Sequence, residues 1–142
     1  MKPIDLNDLR KQFKGSCFYE LIEHHLKKQN EKKLQESFLG TIGFLPPSVS
    51  QLTEEFIDRW NIYAYSKEFW NEDTSNIFDH IISDANALLS ENNQEEYADD
   101  NEILFNLFQV IVLNFAYTAV SQPKMREFIG IKKESWFKRI FK

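Results

Sequence analysis

Residues 103–122 carry no charged side chain, and Ile103 to Val120 is the most apolar stretch of the chain. Its polar interruptions, Asn106, Gln109, Asn114 and Thr118, do not collect on one face. A helix that is apolar on nearly every side needs neighbours all round it, as the central helix of a bundle or as a membrane span. Its 18 residues fall just short of the roughly 20 that a span needs. Three carboxamides inside it would also be costly in lipid. The rest of the chain is patterned as a helical bundle, so the central-helix reading is preferred.

Elsewhere apolar residues recur at helical spacing, and period-2 alternation never lasts more than a few residues. Leu6, Leu9 and Phe13 mark a first helix over 4–14, with Gly15 as its stop. Ser16 is placed to cap a second helix striped by Phe18, Leu21, Ile22, His25 and Leu26. Asn30 breaks the phase, and Leu34, Phe38 and Leu39 predict a third helix ending at Gly40. Residues 40–47, closing on Pro46 and Pro47, read as a connection between two halves. Ser48 and Gln51 have capping-box spacing before a helix with Val49, Leu52, Phe56, Trp60 and Tyr63 inward. After a turn near Ser66 and a helical piece at Phe69 and Trp70, Asp73 or Thr74 caps a helix running to Ser90. Its inward side is Ile77, Phe78, Ile81, Ile82, Ala85, Leu88 and Leu89, and residues 91–101 read as an exposed acidic loop. Pro123 opens a short helix to Ile129, and 131–142 can form a last, basic and aromatic helix.

The expected fold is therefore all-α: one compact domain of six to eight helices packed around residues 103–120. Its parts are N-terminal helices (1–39), a connection (40–47), a main bundle (48–130) and the C-terminal helix. At 142 residues with 42% hydrophobic side chains, such a domain can bury about 68–70% of its unfolded surface. One cysteine rules out a disulfide framework and suits a reducing compartment. Residues 1–8 lack the apolar core of a secretory signal, so a cytoplasmic location is expected.

The sequence carries little catalytic signal. Four glycines at 15, 40, 43 and 130 cannot form a dinucleotide fingerprint or a phosphate loop. Cys17 lies beside an apolar stripe and reads as a small core residue rather than a nucleophile. His24 and His25 are adjacent, about 100° apart on a helix, and cannot share one metal in the usual way. Glu20 and His24 share a face, yet no di-iron or zinc spacing is present. His80 reads as a surface residue. No catalytic residue, metal ligand or cofactor is assigned, and a non-enzymatic role is expected.

Charge is the informative pattern. Residues 51–102 hold 14 acids against Arg59 and Lys67, while residues 123–142 hold seven bases against two acids. The acidic stretch disfavours direct nucleic-acid binding and attracts a cationic partner. Glu54, Glu55, Asp58, Glu95, Glu96, Asp99 and Asp100 are the candidate contact residues, with Trp60 or Tyr97 as aromatic anchor. The expected function is that of a small acidic inhibitor, immunity- or antitoxin-like, covering the cationic site of a basic toxin or nuclease. An alternative is a membrane-associated or assembly adaptor that uses the tail, through Lys132, Lys133, Trp136, Phe137, Lys138 and Arg139. Nothing in the pattern fixes an oligomeric state.

Overall fold

The computed structural model describes residues 3–122. In chain order they form α1 (Leu6–Gln12), α2 (Phe18–Lys28), α3 (Glu31–Gly43), α4 (Pro47–Ser50) and α5 (Thr53–Asn61). A 3-10 turn (Ile62–Tyr65) leads to α6 (Lys67–Asn71), α7 (Thr74–Glu91), α8 (Glu95–Ala98) and α9 (Asn101–Ser121). Six of these helices have seven residues or more, and among the described residues there is no strand. The fold is all-α. The short helix expected after Pro123 and the basic helix over 131–142 lie outside the described residues.

The 21-residue α9 is the axis of the core, with α3, α7, α2 and α5 packed around it. Ile103, Leu104, Leu107, Phe108, Val110, Ile111, Val112, Leu113, Phe115, Ala116 and Ala119 are all buried. By length and composition α9 is also apolar enough to cross a membrane. Its polar side chains Asn106, Gln109, Asn114 and Thr118 are half-buried, and Asn114 Nδ2 donates to Asn61 Oδ1 at 2.8 Å, joining α9 to the end of α5. Aspartates cap three of the helices, and of these the sequence points to Asp73. Asp100 accepts from the Glu102 and Ile103 amides, Asp73 from Ser75, and Asp5 from Asn7. Each satisfies a helix N–H that has no partner inside its own helix.

The α1–α2 junction is tied to the start of α7. Gly15, at φ +86°, reverses the chain in a backbone region that side chains resist. Its amide donates to Asp73 Oδ2. The Thr74 amide then bonds the Ser16 carbonyl at 2.7 Å, and the Phe18 amide bonds the Glu72 carbonyl at 3.0 Å. Ser16 is consequently held one residue before the cap position and does not cap α2. Cys17 occupies the cap position, and the Ser16 hydroxyl donates to the Phe13 carbonyl.

Three further expectations are corrected. Helix α3 continues through Gly40 to Gly43, because Leu34, Phe38 and Ile42 complete an i, i+4, i+8 stripe packed on the core. The expected connection is thereby shortened. Ser48 forms no capping box with Gln51; its hydroxyl donates to Gln94 Oε1 at 2.7 Å, and Pro46 stands at the cap of α4. The segment from 91 to 101 is not all loop, since α8 forms within it and buries Ala98.

Candidate partner-binding site

Helix α5 separates two surfaces. Phe56 and Trp60 face inward, while Glu54, Glu55 and Asp58 face solvent along a shallow depression with Gln51 and Arg59. Glu54 and Asp58 are a like-charge i,i+4 pair, which costs a helix about 0.2–0.5 kcal/mol. Arg59 reaches Glu55 at 3.1 Å, Asp84 at 3.5 Å and Glu91 at 3.6 Å. Partial burial opposes the Arg59 charge, but the hydrogen bond to Glu55 and the fields of Asp84, Glu55 and Glu91 outweigh it and raise its pKa. Exposed ion pairs contribute little stability, so this network mainly fixes how α5 sits on α7.

The second acidic group lies on α8 and its flanks. Glu95 and Glu96 are exposed. Tyr97 is half-buried against the core, so only part of its ring can act as an anchor. Asn86 of α7 donates to the Ala98 carbonyl and, at 3.5 Å, to Asp99 Oδ1. The bond from Ser48 to Gln94 ties the corner before α5 to the residue preceding Glu95.

The 14 acids of the middle segment thus divide. Nine have partners within the fold. Asp73 and Asp100 cap helices, Asp79 pairs with Arg10 at 2.7 Å, and Glu55, Asp84 and Glu91 surround Arg59. Glu68 accepts from Ser66, Glu72 from Asn76, and Asp99 from Asn86. Glu54, Asp58, Glu95, Glu96 and Glu102 are exposed, with no side-chain hydrogen bond or ion pair to another described residue. Of the candidate contact residues, Glu54, Asp58, Glu95 and Glu96 therefore carry charge that no described residue compensates. Glu55, Asp99 and Asp100 are engaged in holding the fold.

Trp60 is not a projecting anchor. It is 6% exposed, and its indole N–H donates to Asp84 Oδ2 at 2.9 Å. Its ring instead helps to form a surface that the sequence pattern does not reveal. The helical period predicts Tyr63 inward, but the chain tightens into the 3-10 turn after Asn61. That change of pitch buries Ala64 and leaves Ile62, Tyr63 and Tyr65 exposed. A groove of about 870 Å³ results, bordered by α5, the turn, α6 and α7. Trp60, Tyr63 and Phe69 form its aromatic wall, with Tyr63 stacked on Phe69 at 5.5 Å and against Trp60 at 5.0 Å. Glu68, Glu72, Asp84, Arg59 and His80 also line it. Glu68 is held below the usual carboxylate pKa by its own backbone amide and by the Ser66 hydroxyl.

No protein-family model, curated protein or solved structure significantly matches the chain. Function is therefore read from geometry alone. Among the described residues no three His, Cys, Asp or Glu side chains gather as a metal site. Cys17 is a half-buried free thiol, and His24 and His25 stand edge to face at 6.0 Å. The candidate tail contacts, Lys132, Lys133, Trp136, Phe137, Lys138 and Arg139, lie outside the described residues.

Proposed function

We propose that this protein is a non-enzymatic binding module whose partner is a protein with a basic surface. The carrying observation is the division of its acids: after helix caps and internal pairs are satisfied, Glu54, Asp58, Glu95 and Glu96 remain exposed and uncompensated among the described residues. Their mutual repulsion is a small standing cost that a cationic partner converts into attraction and a faster encounter. The finer reading is a small inhibitor of the immunity or antitoxin kind, covering the cationic cleft of a toxin or nuclease. Its carboxylates would take the places of substrate phosphates and pair with the target's Lys and Arg.

The test is affinity capture on the full chain from its native cell at low ionic strength, followed by stepwise salt elution. A basic protein released sharply as salt rises is the expected result, since exposed charge pairs are screened over about 10 Å at 0.1 M. Retention only of neutral or acidic proteins, or release indifferent to salt, would overturn the reading.

A further inference from the structure

The acidic ends of α5 and α8 attract a basic surface but do not say which side chain is recognised, and the groove does. It offers an aromatic wall of Trp60, Tyr63 and Phe69, with carboxylates of Glu68, Glu72 and Asp84 within the same lining. The Trp60 indole N–H is already given to Asp84, so the tryptophan has no donor left for an anion. Of the basic side chains in the lining, Arg59 and His80, the guanidinium is engaged by Glu55, Asp84 and Glu91. Ile62 is 69% exposed and Tyr63 43% exposed, so apolar surface is available for the neighbours of an inserted side chain.

We propose that this groove binds an arginine side chain presented by a partly apolar segment of the partner protein, with Tyr63 stacking on the guanidinium and Glu68 and Glu72 accepting its N–H donors. The inference rests on the reading of the partner as a basic protein. Arginine fits better than lysine because its planar cation can stack on a ring and bond carboxylates through a rigid fork at the same time. A lysine ammonium is a compact, strongly hydrated point charge that lacks both the flat face and the fork.

The experiment titrates the isotopically labelled full chain with the blocked tripeptide acetyl-Leu-Arg-Leu-amide, with its lysine counterpart, and with its citrulline counterpart, which keeps the shape and lacks the charge. The arginine peptide is expected to shift the Trp60 indole signal and the Tyr63, Phe69 and Glu72 amides. The lysine peptide should bind more weakly and the citrulline peptide least. Tyr63→Ala and Glu72→Gln should each weaken the arginine peptide about fivefold, as loss of a ring or charge contact would. Both positions are exposed, and Glu68→Gln provides a further variant that leaves the aromatic wall intact.

Glu54→Gln and Glu95→Gln should leave peptide binding unchanged, which separates a failed groove from a failed acidic surface. Equal binding of the citrulline peptide, or shifts confined to α5's outer face and α8, would overturn the proposal. So would a large gain in peptide affinity on Arg139→Gln, which would make the chain's own basic segment the occupant.

Discussion

The outer face of α5 and the groove on its other flank share one helix but are built in different ways. The outer face is local: Glu54 and Asp58 lie four residues apart, and any helix through them makes an acidic strip. The groove is tertiary. It exists because the 3-10 turn redirects Tyr63 toward Phe69 and because Asp84, 24 residues further along, takes the Trp60 N–H. Charge is therefore cheap to place and easy to change on the first surface, whereas the second is continuous with the core. Phe69 makes this concrete, since its ring meets Phe18, Tyr63, Trp70 and Phe115 within 6 Å.

The largest expected difference follows directly. Phe69→Ala should cost about 3–5 kcal/mol, the range for emptying an aromatic core site. Glu96→Gln should stay within about 0.5 kcal/mol, as surface changes do. Urea denaturation of both variants checks the pair, and a small loss for Phe69→Ala would mean that the groove wall is not core.

Two glycines test the same distinction on backbone. Gly15→Ala should lose about 1–2 kcal/mol, because a side chain resists the left-handed conformation it would have to adopt. Gly40→Ala should gain about 0.5–1 kcal/mol, because Gly40 lies inside α3 and nothing stands within 4 Å of an added methyl group. Destabilisation at both sites would mean that α3 stops at Gly40 after all.

A smaller effect is expected from neutralising Glu54, Asp58, Glu95 and Glu96 together. Removing the Glu54–Asp58 repulsion should raise stability by no more than about 0.5 kcal/mol, while binding of a basic partner falls steeply. Opposite signs for stability and binding are the mark of a surface kept for a partner.

The smallest effect lies on α2, away from both surfaces. Burial, with the nearby charges of His24 and Lys28, holds the His25 pKa below its ordinary value. Below about pH 6.5 the unfolded chain then binds a proton that the folded chain resists, so stability falls as pH drops. His25→Leu should flatten that slope in melting temperatures compared at pH 7.5 and 5.5.

Much of the fold could be read from sequence because its long helices are locally encoded. The apolar α9, the stripe of α7 and the Asp73 cap all follow from spacing within one element. What could not be read depends on contacts between elements. Ser48 has the right neighbour for a capping box, yet its hydroxyl goes to Gln94. Helix α8 is too short at four residues for periodicity to show it. Trp60 falls on the inward stripe of its helix yet also reads as an anchor because it stands among acids, and only the packing of α5 on α7 shows that its N–H goes to Asp84. The candidate site was legible as charge, but which carboxylates remain uncompensated depends on Arg10 and Arg59 finding their pairs.

The central claim is that these uncompensated carboxylates hold a basic protein partner. Its most direct test replaces Glu54, Asp58, Glu95 and Glu96 with Lys in the full chain and measures association with the partner captured by the native protein. The account predicts that association is lost while helical content and melting temperature are retained. Unchanged association after reversal of all four charges would contradict it.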